Sequence, residues 1–324
     1  MKKLFLLLFS ILISYNSYAE VELDFSSDTF CDQSPKVQVR DGLFYLPNQQ
    51  KPYSGENLCV YLSNGQYYSQ GEIKKGLRHN SWNFWYENGI KKEKGDYKEG
   101  MKEGIWTSWH DNGQKRNEGN YIDHWKEGIW TSWDDDGNKE EEGNFKYDMK
   151  EGIWTSWYCC GKKWKEGNYI NNNEDGKHSH WDWEGKIILE ENFINGQLVN
   201  KTKYEYYDNG QIKEEGNYKN DEKDGKWTEW YESGQKKFER NYKDGKLDGK
   251  WTYWSENGQI VEERNYKDGK KDGKWTYWYE DGQKRAEGYY KDGKLDGKVT
   301  DWDENGQIKG VENWKDGKCI SGDC

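Results

Sequence analysis

The sequence predicts an all-β fold, an elongated array of antiparallel β-hairpins built from about eleven tandem units of about 24 residues. Three observations predict it. The motif Gly-x-Trp-Thr-x-Trp recurs with its first Trp at Trp106, Trp130 and Trp154, and again at Trp227, Trp251 and Trp275. Asn-Gly and Asp-Gly pairs, the strongest short-range hairpin signal, follow the rings at a fixed distance. The apolar content is ring rather than aliphatic: 20 Trp and 25 Tyr stand against 48 residues of Leu, Ile, Val and Phe together. Low aliphatic content with 34% charged residues would by itself suggest disorder. Each packed ring, however, buries roughly 150–250 Å², so a long thin core of stacked rings is within reach.

The elements follow in chain order. Lys2 and Lys3 precede an apolar run from Leu4 to Ile13, and Ser17-Tyr18-Ala19 puts small residues where a signal peptidase reads them. Residues 1–19 are therefore expected to be a signal peptide cleaved after Ala19. The apolar run is too short to cross about 30 Å of hydrocarbon, so no transmembrane span is expected. Export to the periplasm, the cell surface or the medium follows from this reading. Residues 20–57 do not follow the repeat and are read as an N-terminal cap. Residues 58–318 hold the eleven units, and residues 319–324 form a C-terminal tail.

Counting from the first Trp of the motif as position 0, the units start at Leu58, Trp82, Trp106, Trp130, Trp154, His178, Lys203, Trp227, Trp251, Trp275 and Val299. One step, from His178 to Lys203, is a residue longer, and the extra residue falls between Phe193 and Lys203. Position +3 is always Tyr or Trp: Tyr61, Trp85, Trp109, Trp133, Trp157, Trp181, Tyr206, Trp230, Trp254, Trp278 and Trp302. Position +7 is always Gly, as at Gly113, Gly258 and Gly282, and position +15 is nearly always aromatic. Each unit reads as a strand such as Trp251 to Trp254, a turn at Asn257-Gly258 with both central residues at positive φ, and a second strand such as Lys284 to Tyr290. Positions 0 and +3 differ by an odd number, so a regular strand sends them to opposite faces. Position 0 admits His178, Lys203 and Val299, whereas position +3 admits only rings. The buried stack is therefore expected to consist of the +3 and +15 rings, with position 0 half-buried.

The unit Gly-Lys-Trp-Thr-Tyr-Trp-Tyr-Glu-Asp-Gly at 273–282, followed by Glu287-Gly288-Tyr289-Tyr290-Lys291-Asp292-Gly293-Lys294, resembles the MORN repeat, and most closely its bacterial variant with a more aromatic core. The lead-in Asp41-Gly42-Leu43-Phe44-Tyr45, continuing to Lys51-Pro52-Tyr53-Ser54-Gly55, is similar to the start of such proteins. The resemblance covers roughly residues 40–318. It implies extended antiparallel hairpin arrays that act as scaffolds or interaction surfaces, and some bacterial variants are classed as antitoxins.

Several chemistries are disfavoured by the sequence. The formal net charge is −11 with acids and bases interleaved, which gives no basic face for nucleic acid or anionic lipid. His178 and His180 with Cys159 and Cys160 suggest zinc, but the two pairs are offset by roughly 10–13 Å along a strand, and ligands must lie about 2.0–2.3 Å from the ion. Asp134-Asp135-Asp136-Gly137-Asn138 lacks the full calcium loop. With five scattered histidines and no nucleophile–base or paired-carboxylate signature, no catalytic residue, metal ligand or cofactor site is assigned, and the chain is read as non-enzymatic. Six cysteines in an exported chain suggest disulfides: Cys31–Cys59 and Cys319–Cys324 are expected, with no account of the adjacent Cys159 and Cys160. The leading function is an exported scaffold or protein-interaction module with an unknown protein partner. A glycan- or cell-wall-binding role and an antitoxin- or immunity-like role are the alternatives. Binding, if concentrated, is expected in the irregular middle at residues 159–203.

Overall fold

A computed structural model describes residues 29–31 and 38–322. The expected signal peptide, the side chain of Cys31, Cys324 and part of the cap lie outside the described residues. Among the described residues every regular element is a strand in an antiparallel pairing, from Gly55 onward with strands adjacent in the chain and, at the start, with Thr29–Cys31 beside Gly55–Tyr61, and no helix is long and apolar enough to cross a membrane. The chain divides into two compact units.

The first unit runs to Glu127 and includes the turn Asp135–Gly137. It opens with a small hairpin, Gln38–Arg40 paired with Leu43–Tyr45. Backbone bonds from Phe44 N to Gly76 O (2.9 Å), Tyr53 N to Phe44 O (2.8 Å) and Gly76 N to Tyr53 O (2.7 Å) lock this segment against the first repeat. Phe44 thereby joins a buried cluster with Ile73, Trp82, Tyr97 and Trp106. The second unit comprises residues 128–134 and 138 onward and continues the same hairpin succession.

The core differs from the expectation in one respect. Position 0 is buried: Trp82, Trp106, Trp130, Trp154, His178, Trp227 and Val299 all lie in the interior. The +3 rings Trp85, Trp109, Trp133, Trp157, Trp181, Trp230, Trp254, Trp278 and Trp302 are only half-buried. The cause is position +13, across the ladder from position 0, as in Trp154 opposite Gly167 and Trp130 opposite Gly143. Glycine there leaves a gap over the backbone, and the position-0 ring of the following repeat lies in it. A Cβ on Gly71, Gly95, Gly143 or Gly216 would come within 3.0 Å of the ring of Trp82, Trp106, Trp154 or Trp227 respectively. The indole N–H then donates to the carbonyl of the next residue along: Trp82 to Glu72 O (3.1 Å), Trp106 to Asp96 O (3.1 Å), Trp154 to Asn144 O (3.0 Å) and Trp227 to Asn217 O (3.0 Å). The +15 rings meet these indoles edge-on, as in Tyr97–Trp106 (5.0 Å, 88°) and Phe145–Trp154 (4.8 Å, 75°). The +15 part of the expected stack is thus present. Variation at position 0 is not a mark of exposure; it marks which side chains the glycine gap can receive. Where position +13 is Arg240 or Arg264, the next indoles, Trp251 and Trp275, are only half-buried, and Trp275 Nε1 is buried with no hydrogen-bond partner among the described residues.

The turns also differ. At the Asn-Gly and Asp-Gly tips only the glycine takes positive φ, for example Gly113 at 91°, Gly258 at 84° and Gly282 at 86°. The loop has three residues: Tyr279 N bonds Gln283 O (2.8 Å) and Gly282 N bonds Tyr279 O (3.0 Å). The ladder slips beside it, between Tyr277 and Trp278. A type I turn closed by a left-handed glycine is the common three-residue hairpin, with its accompanying bulge. The two-residue turn with both φ positive occurs at the opposite ends of the strands, at Asp292 (49°) and Gly293 (87°).

A stepped cleft between two hairpin tips

The repeat passes through an irregularity between the units that start at His178 and Lys203. In the regular ladder, position +11 faces position +2 of the next repeat, as Glu141 faces Ser156 and Glu214 faces Glu229. Here Leu189, at +11, faces Lys203, at position 0. The register has slipped by two residues, roughly 7 Å along the strand. The ladder irregularity that regular repeats carry just after position +13, as between Gly143 and Asn144, falls here between Asn192 and Phe193, and the facing strand Gln197–Tyr206 is, at ten residues, one longer than its regular counterparts. The slip removes Lys203 from any position-0 gap, and it is exposed. It also sets the two neighbouring tips at different heights.

The step opens a cleft of about 520 Å³. One wall is the tip of the earlier repeat, with Asp182, Trp183, Glu184, Lys186 and Ile188, and the other is the run from Tyr204 to Asp208. Trp183 occupies position +5, where the regular tips carry small or acidic residues such as Asp111 and Glu232, and it is 70% exposed. The wall is held rigidly. Asp182 Oδ1 accepts from Glu184 N and Lys186 N, both at 2.9 Å. Tyr206 donates to Ile187 O (2.8 Å), Tyr207 to Trp230 O (2.8 Å) and Tyr204 to Glu190 Oε2 (3.1 Å). Burial, with the Glu190 carboxylate, pushes the Tyr204 phenol well above its usual range, and burial with the charge of Asp182 raises Tyr206. Both stay neutral phenols at physiological pH. Lys186 bonds Glu184 Oε2 (2.5 Å) with its Nζ 5.4 Å from the centre of the Tyr206 ring. Its ammonium is held charged by the Glu184 carboxylate.

The other residues singled out in the sequence are apart from this cleft. His178 is a core residue in the indole position: its Nε2 lies 2.8 Å from Asn168 O, which can only accept, so that nitrogen carries the proton. Glu174, 3.7 Å from His178 Nδ1, replaces the lysine that caps the indole elsewhere, as Lys150 caps Trp154 at 4.0 Å. His180 bonds Glu191 Oε2 (3.1 Å), and burial lowers its pKa despite that carboxylate. Cys159 and Cys160 are exposed free thiols. Among the described residues no group of three or more His, Cys, Asp or Glu side chains is placed to hold a metal ion. Cys59 and Cys319 are both disulfide-bonded, and the backbone of Cys31 lies opposite Cys59.

The family model for the MORN repeat variant matches residues 102–123, 126–147, 200–220, 223–244, 247–268, 271–292 and 295–316. The chain belongs to the MORN repeat variant family. The matched MORN-variant stretches leave out residues 148–199, which carry the Trp183 wall of the cleft. No curated protein matches the chain. Two solved structures are similar to it at 10% identity: "Crystal Structure of TcdB2-TccC3-Cdc42", over 89% of this chain and 19% of that one with a TM-score of 0.18, and "Crystal Structure of TcdB2-TccC3 without hypervariable C-terminal region", over 85% and 16% with a TM-score of 0.20. The chain spans less than a fifth of either.

Proposed function

We propose that this MORN-variant protein is an exported, non-enzymatic interaction scaffold that engages a protein partner at the step between its sixth and seventh repeats. The observation that carries the reading is Trp183. A large ring 70% exposed beside a cleft gains free energy only when something covers it. Other exposed rings, such as Trp125 (42%) and Tyr147 (58%), are better covered than Trp183, and neither lines the cleft. The Ser17-Tyr18-Ala19 cleavage pattern supports export.

The test introduces a photo-reactive phenylalanine analogue at position 184, in the cleft, and at position 233, the equivalent tip position two repeats later. Irradiation of intact cells should give discrete protein adducts from position 184 and none from 233, with the chain recovered from the envelope or medium starting at Glu20. Equal adducts from both positions, or none from 184, would remove the cleft from the interaction. Recovery of a cytoplasmic chain that retains Met1 would remove export.

A further inference from the structure

We infer that the stepped cleft recognises an alkylammonium group, presented as a lysine side chain on a basic segment of the partner. This deepens the proposed function and rests on it for the identification of the partner as a protein. Charge complementarity is the first support. Asp182, Glu184, Glu205 and Asp208 line the cleft against a single lysine, Lys186. Lys186 is already engaged by Glu184, and Glu205 is 3.5 Å from Lys213, which does not line the cleft. Asp208, beside the rings, forms no ion pair among the described residues.

The rings are the second support. An ammonium ion is attracted to the face of an aromatic ring, most strongly to Trp, by about 0.5–1 kcal/mol at exposed sites and about 2 when desolvated. This chain uses that pairing internally: Lys223 Nζ lies 3.5 Å from the centre of the Trp227 ring and Lys102 Nζ 3.8 Å from that of Trp106. Trp183 is an indole at an acidic site with no such lysine of its own among the described residues. The Tyr204, Tyr206 and Tyr207 hydroxyls are committed to Glu190, Ile187 and Trp230; Tyr204 and Tyr207 thus offer ring surface rather than free hydrogen-bonding groups, while Lys186 already approaches the Tyr206 ring. A sugar can use the cleft's carboxylates only as hydrogen-bond acceptors, whereas a cation also gains from their charge. A cation needs ring faces and nearby carboxylates, which the cleft supplies.

The experiment titrates the full chain by calorimetry with hexalysine, with its fully acetylated form, with tetramethylammonium and with chitohexaose. Two variants accompany it: Trp183→Ser, which restores a residue type found at the same position as Ser63, and Asp208→Asn. Hexalysine is expected to bind, and acetylation to abolish measurable binding. Each variant should weaken it about fivefold, as the loss of about 1 kcal/mol implies, while unfolding at the temperature of the parent chain. Equal binding of acetylated peptide would overturn the inference. So would unchanged binding by Trp183→Ser, which would mark hexalysine as a ligand of the general acidic surface. Chitohexaose binding that depends on Trp183 would replace the cation with a glycan, and tetramethylammonium binding as tight as hexalysine would replace the protein segment with a small amine or headgroup. Adducts from position 184 that form in Trp183→Ser with undiminished yield would leave the scaffold function standing and end this inference alone.

Discussion

At the scale of single residues, the glycine at +13 does more to build the core than any ring. Gly143 lies between Glu142 and Asn144 in a strand, where glycine's backbone freedom has no use. Its value is the missing Cβ, which lets Trp154 lie against the main chain and donate to Asn144 O. Gly143→Ala is expected to cost about 1–3 kcal/mol through overpacking, read as a fall in the unfolding midpoint in urea. Arg240→Ala, at the equivalent position of a repeat whose following indole is already half-buried, should cost less than 1 kcal/mol. Equal losses at the two sites would show that the gap is not what seats the ring. The same comparison explains why His178 is tolerated. A smaller ring with an N–H aimed at Asn168 O reproduces the indole's hydrogen bond.

At the scale of the hairpin, the two ends of each unit obey different rules. The tip uses one left-handed glycine, and the other end uses two consecutive left-handed residues. In the later repeats the second turn is Asp-Gly, whereas at Asp123-His124 both residues are non-glycine, with φ of 46° and 79°. A left-handed conformation costs a residue with a Cβ roughly 1–2 kcal/mol, and glycine returns part of that as lost unfolded-state freedom. His124→Gly should therefore stabilise the first unit by about 0.5–1 kcal/mol. Gly258→Ala, at φ 84°, should destabilise the second by about 1–2 kcal/mol. Thermal unfolding of the two variants checks both signs, and a stabilising Gly258→Ala would refute the turn assignment. The sequence showed that turns occur at both ends, because Gly, Asn and Asp punctuate the strands. It did not show which turn was which. Asn-Gly suits either geometry, and the choice is made by how many residues the flanking strands leave unpaired.

At the scale of the whole chain, the repeats contact mainly their neighbours, so the array is expected to tolerate removal of a complete repeat. Deletion of residues 227–250 joins Lys226 to Trp251 in phase. It also brings Gly216 in place of Arg240 beside Trp251. The shortened chain should fold, and Trp251 should become buried, read by mapping oxidised tryptophans after brief N-bromosuccinimide treatment. A folded chain whose Trp251 stays as reactive as before would separate ring burial from the +13 residue.

Periodicity, the all-β class, the family resemblance and the location of the irregular repeat were all legible in the sequence. These depend on residue types recurring at a fixed spacing, which a one-dimensional string preserves. Which ring is buried, which turn carries two left-handed residues and how far the register slips were decided only in the folded sheet. A single extra residue before Lys203 can be absorbed by a bulge or passed on as a shift, and the string is the same in both cases. Pairing across the strands selected a shift of two residues, because an even shift keeps each side chain on its own face. That choice placed Trp183 beside Tyr204 and Tyr206 and opened the cleft.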